Sequence, residues 1–120
     1  MQYMLLLYSS DEGRPEPGSP EMMAEMQEWF AYTDAMAEAG QLVGGEPLQG
    51  VETAKTLQIR DGNTSITDGP FAETKEVLGG YYLVEVPDEA TALDWASKCP
   101  LARYGSVEVR PLMVLPPAPG

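Results

Sequence analysis

Apolar and polar positions along the chain switch between two periods, and each switch marks an element. Gln2 to Ser9, "QYMLLLYS", is a short apolar run closed by "SDEGRPEPGS", whose Gly, Pro and charge end it, so a buried first strand and a loop are predicted. At Ser19 the period becomes helical. Ser19 stands as the N-cap, Pro20 takes the first helical position, and Glu21 puts a carboxylate at the positive end of the helix dipole. The helix is predicted from Pro20 to about Ala39, with a stripe of Met22, Met26, Trp29, Phe30, Thr33, Met36 and Ala37 facing the core and Gly40 as its C-cap.

Beyond it, "QLVGGEPLQG" has room for only a short extended piece, and "AKTLQIRDGNTSIT" reads as two strands turning around Asp61-Gly62-Asn63. Leu78 to Val86 is the next strand. Asp88 caps a short helix through Lys98, with Leu93, Trp95 and Ala96 as apolar contacts, and "SVEVRPLMV" is the last strand. The order β-α-β-β-α-β is the ferredoxin-like split βαβ arrangement with an extra central hairpin: an α+β fold, one antiparallel sheet carrying two helices on one face. The segments "YMLLLY" and "GYYLVEV" are apolar at nearly every position, so the sheet face without helices needs cover. A second copy of the sheet is the economical cover, giving a homodimer built as an α+β barrel.

Composition narrows the chemistry. At 120 residues the chain makes one domain, expected over residues 1–115, with 116–120 as a loose proline-rich tail. No run of about twenty apolar residues would span a membrane, and the first residues lack a basic region and cleavage site, so a cytoplasmic location is expected. The net charge is −12, with nine acids against one base, Arg14, between Asp11 and Glu46. A nucleic-acid partner would need a basic patch, which is missing, and a solvated acidic helix face is the reading of these charges. One cysteine and no histidine exclude an internal disulfide, Cys/His zinc sets, and Cys-His or Ser-His-Asp catalysis. Cys99 sits at a helix C-terminus, the wrong end for a lowered thiol pKa. No metal or cofactor is expected, and the glycine pairs at Gly44 and Gly79 lack phosphate-loop spacing.

The candidate polar residues cluster in two stretches. In "TDGPFAETKE", Asp68 can cap a turn through its carboxylate, Gly69 is free to take positive φ before Pro70, and Phe71 would pin the loop to the core. Alternatively Asp68, Glu73 and Lys75 stand around the rim of a pocket, Lys75 holding an anion or keeping a carboxylate ionised. In "VGGEPLQ", Glu46 follows two glycines and is a candidate general base if burial raises its pKa. Tyr3, Tyr8, Tyr81 and Tyr82 flank the sheet and could orient a ligand through their hydroxyls, Tyr3 and Tyr81 being the pocket candidates, while barrel filling is the structural alternative. Arg103 and Arg110 could meet an anion or pair with surface acids.

"DGPFAETKEVLGGYYLVEV", with "EVRPL" downstream, resembles the DGPF (DGPFAETKE) family within the YCII-related domain group over nearly the whole chain. The resemblance implies a dimeric α+β barrel on a ferredoxin-like protomer and leaves the activity unsettled. Family members resemble small bacterial proteins, often encoded near extracytoplasmic-function sigma factors. A His/Asp pair associated with YCII-like relatives has no counterpart in a chain without histidine. Two functions stay open: a protein binding a small molecule between helix one, the sheet and the Asp68 to Glu76 loop, with weak acid/base enzymatic chemistry as a further option, or a non-enzymatic accessory partner of a sigma factor.

Overall fold

The computed structural model of the chain describes residues 1–10 and 12–119, so Gly120, the end of the expected tail, lies outside the described residues. In chain order the elements are β1 (Gln2–Ser9), α1 (Pro20–Glu38), β2 (Leu42–Pro47), β3 (Lys55–Arg60), β4 (Asn63–Asp68), β5 (Val77–Glu85), α2 (Glu89–Lys98) and β6 (Ser106–Pro111). Short 3-10 turns at Val51–Thr53 and Pro100–Arg103 join them. The main sheet runs β2-β5-β1-β6 with every pair antiparallel, which is the ferredoxin-like topology. The extra hairpin, β3 with β4, forms a two-stranded sheet of its own.

Local chemistry explains the helix ends. Ser19 accepts a hydrogen bond from the backbone N–H of Met22, and Asp88 accepts from the N–H and hydroxyl of Thr91, each satisfying donors that a helix start leaves open. At the end of α1, Ala39 is the cap and Gly40 follows at φ +72°. The N–H of Gly40 reaches the carbonyl of Ala37 and that of Gln41 reaches Met36, the paired bonds of a Schellman ending.

Strand alternation sorts β1. Tyr3, Leu5 and Leu7 are buried beneath the helices, whereas Met4, Leu6 and Tyr8 are half-buried on the other face. Val84 and Val86 continue the buried side, and Met36, Tyr32, Ala92, Ala96, Cys99 and Leu101 cover it. Fully burying side chains such as Leu5, Met36 and Val84 stabilises the fold by about 1.5–3 kcal/mol each. Tyr32 is the hub. Its ring meets Trp29, Tyr82 and Trp95 edge-on at 6.2, 5.5 and 6.1 Å, and its hydroxyl donates to the Trp95 carbonyl at 2.7 Å, tying α1, β5 and α2 together.

Three expectations are corrected. Met26 and Phe30 belong to the predicted core stripe of α1 yet are exposed, while Tyr32, outside that stripe, is buried. The last strand stops at Pro111 rather than Val114, and Met113, Val114 and Leu115 are exposed. Phe71 does not pin its loop, because it is 80% exposed.

Candidate functional site

A cavity of about 560 Å³ opens between α1 and the β2–β5 end of the sheet. Two strand glycines are part of its lining. Strand register sets Gly45 opposite Tyr82 and Gly80 opposite Leu7, on the face that α1 covers. Neither glycine carries a side chain, and both line the cavity, with Met26 and Phe30 of α1 at its border. Leu7, Leu101, Trp29, Thr33 and Tyr82 line it further.

The two strands approach closely at these glycines. A Cβ on Gly45 would sit 2.7 Å from the Tyr81 carbonyl and 2.9 Å from the Tyr82 ring, and one on Gly80 would sit 2.9 Å from the Glu46 carbonyl. Close approach of main chain to main chain therefore requires glycine at both positions.

The wall is mostly aromatic and apolar. Trp29 and Tyr82 lie nearly parallel, 13° between planes and 6.4 Å between centroids. A hydroxyl relay crosses between them: Thr33 donates to the Trp29 carbonyl at 2.9 Å, and Thr33 and Tyr82 hydroxyls are 2.7 Å apart. Since Thr33 has one proton and spends it on Trp29, Tyr82 donates to Thr33 and keeps its own oxygen lone pairs for another partner. Burial pushes the Tyr82 phenol above its ordinary value, against the opposing effect of its contact with Thr33, so it carries its proton at neutral pH. Asp34 and Glu46 border the cavity, and none of its described lining residues is Lys or Arg.

The sequence candidates do not assemble into one site. Glu46 and Tyr81 border the cavity but are paired with each other across β2 and β5, in the register of the sheet face away from α1. Tyr3 is packed in the core with Leu7, Met36 and Val84. Asp68 ends β4, where its carboxylate takes the ammonium of Lys55, while Gly69 makes the turn at φ +107°. Glu73 is exposed, and Lys75 lies 3.8 Å from Glu12. The Asp68 to Glu76 loop, expected over the pocket, contributes nothing to this cavity. Its Thr74 and Glu76 instead border an open depression of about 430 Å³ beside Tyr8 and Ser106 on the helix-free face, where Ser106 donates to Glu76 at 2.8 Å. Arg103 bonds Glu28, and Arg110 lies 3.6 Å from Glu108.

Sequence reasoning placed Thr33 in the core stripe rather than the site, missed Asp34 and Gly80, and named Tyr82 only as one of four sheet tyrosines able to orient a ligand. The available signal was Gly79-Gly80 inside an apolar strand, since strand glycines mark close backbone approach or a gap. Among the described residues no cluster of three or more Asp, Glu or Cys side chains could hold a metal ion. No described helix is long and apolar enough to cross a membrane.

The match to known proteins is decided over residues 1–116, which fit the model of the YCII-related domain. The chain belongs to the YCII-related domain family. An uncharacterised protein of Rhizobium meliloti is 36% identical over 119 residues, covering 98% of this chain and 96% of that protein. Among solved structures, this YCII-related chain is similar to 5-chloro-2-hydroxyhydroquinone dehydrochlorinase from Burkholderia phenoliruptrix, in complex with 2,5-dihydroxybenzoquinone. That likeness has a TM-score of 0.51 at 14% identity and covers 94% of each chain. It shows the shared α+β fold.

Proposed function

We propose that this YCII-related protein binds a small ring-bearing molecule in the cavity between α1 and the β2–β5 end of the sheet. The observation that carries the reading is the cavity at Gly45 and Gly80, walled by Trp29, Tyr82 and Phe30 and lined by the paired hydroxyls of Thr33 and Tyr82. A mostly apolar concavity of a few hundred Å³ with few polar groups is the usual form of a small-molecule site. The compound bound by the solved neighbour is a single ring, the size class assigned here. Acid–base chemistry is a further part of the reading: Tyr82 serves as a neutral phenol, and Asp34 is the carboxylate on the α1 side of the cavity. A screen of single-ring compounds read by tryptophan fluorescence tests it. Phe30→Ala, at a mostly exposed position, should weaken every hit several-fold without lowering the melting temperature. Equal binding by parent and variant, or no hit at all, refutes the assignment.

The partner we propose is a second copy of the chain. Met4, Leu6, Tyr8, Tyr81 and Leu83 form an apolar strip on the helix-free face, and the hairpin adds Leu57 and Ile66, directly paired and 57% and 65% exposed. Apolar surface of this extent on a monomer marks an association site. Light scattering at micromolar concentration should give twice the protomer mass. Leu6→Lys should give a folded monomer, and a parent protein already monomeric overturns the proposal.

A further inference from the structure

We infer that the cavity selects an organic cation: a protonated amine carried on a ring-sized apolar group. This rests on the small-molecule reading above and adds the charge of the guest. The first observation is the charge of the wall. Asp34 of α1 borders the cavity at its exposed edge, and the described lining contains no lysine or arginine, while Glu46 belongs by register to the opposite sheet face. The basic side chains are engaged elsewhere: Arg14 with Glu25, Lys55 with Asp68, Lys75 with Glu12, Lys98 with Asp94, Arg103 with Glu28 and Arg110 with Glu108. Arg60 closes on the carbonyl of Ile59 in the hairpin. A carboxylate or phosphate guest would leave water and meet no positive side chain in the lining.

The second observation is the character of the wall. Trp29, Tyr82 and Phe30 offer ring faces, whose negative quadrupole attracts a cation, most strongly at tryptophan. The third is the relay of protons. Because Thr33 donates to Trp29 and Tyr82 then donates to Thr33, the oxygen of Tyr82, a lining residue, keeps lone pairs suited to an N–H donor from an ammonium group. Ser9 and the Trp29 indole can supply neutral hydrogen bonds, which do not offset the missing positive charge. A net charge of −12 adds a long-range field that draws cations toward the protein.

The test uses three ring compounds of one size that differ in charge: benzylammonium, benzyl alcohol and benzoate, titrated against the full chain at neutral pH and low salt with calorimetric readout. Benzylammonium should bind about tenfold more tightly than benzyl alcohol, benzoate should not bind, and salt should erode the difference. Asp34→Asn should reduce the ammonium-to-alcohol affinity ratio, a quantity that a general loss of fold or cavity shape would leave unchanged. Equal affinity for the alcohol and the ammonium, or tighter binding of benzoate, overturns the inference while the cavity keeps its assignment as a small-molecule site. Absence of binding by all three overturns that assignment and this inference with it.

Discussion

The guanidinium of Arg14 lies 3.7 Å from the centre of the Tyr104 ring while its nitrogen bonds the carboxylate of Glu25. The three residues bring the loop after β1, the first turns of α1 and the turn before β6 to one point. Glu25 is held below its ordinary carboxyl value of 4.5, first by the hydrogen bond from Arg14 and against the opposing effect of burial. Tyr104 moves the other way, pushed up to about 12 by burial and by its bond to Glu25.

The linkage signs follow directly. A depressed carboxyl contributes stability that is complete above 4.5 and lost as pH falls through its lower folded value. A raised phenol contributes stability that is complete below its ordinary 10.0 and lost as pH rises toward 12. Melting temperature should therefore fall at both extremes, and Glu25→Gln should flatten both limbs. Arg14→Ala should cost about 1–2 kcal/mol, the scale of a charge-assisted hydrogen bond with a cation over a ring. Chemical denaturation across pH checks both.

Gly45→Ala and Gly44→Ala form a matched pair one residue apart. At Gly45 the added carbon meets the Tyr81 carbonyl, whereas at Gly44 nothing lies within 4 Å. The first should destabilise by about 1–3 kcal/mol, the cost of forcing extra volume into a packed place, and the second should be close to neutral. Urea midpoints of the two variants decide it, and similar values would contradict the tight approach of β2 to β5.

Tyr82→Phe removes the donor that Thr33 accepts but leaves Thr33 bonded to the Trp29 carbonyl. The expected loss is about 1 kcal/mol, since no buried donor is left without a partner. Thermal melts check the stability, and the affinity of any hydrogen-bond-donating guest should drop several-fold in the same variant.

Asp68→Ala should change stability by less than about 0.5 kcal/mol, because its bond to Lys55 is between two largely exposed side chains. The turn it begins is held by Gly69, whose N–H reaches the Ala54 carbonyl at 2.8 Å and whose own carbonyl accepts from Thr56. Denaturation of Asp68→Ala beside Gly69→Ala should show the glycine change to be the costlier.

What the sequence made legible was local. Ser19, Asp88 and Gly40 state their helix ends within four residues, and Asp61-Gly62 gives a hairpin turn in which both residues have positive φ. The order of those elements then fixes a ferredoxin-like sheet. The buried face of α1 was less legible, because Tyr32 packs inward on partners tens of residues away, Tyr82 of β5 and Trp95 of α2. The site suffered from the same dependence. Glu46 and Asp68 look alike as acids beside Gly-Pro turns, yet one borders the cavity and the other sits on a hairpin that pairs with neither edge of the main sheet.

That hairpin gives the chain two clocks. Every residue of β4 is exposed, and the radius of gyration, 17.1 Å, exceeds the roughly 14 Å of a compact domain this long. A lone two-stranded ribbon is marginal in water, so β3 and β4 can open while the four-stranded sheet stays shut. In deuterated buffer the amides of Lys55–Arg60 and Asn63–Asp68 would then exchange at the pace of this small local melt, and those of β1 and β5 at the pace of whole-chain unfolding. Because the fast clock reads a surface with Leu57, Ile59 and Ile66 facing water, its slowing as the protein is concentrated would time the arrival of whatever comes to cover them.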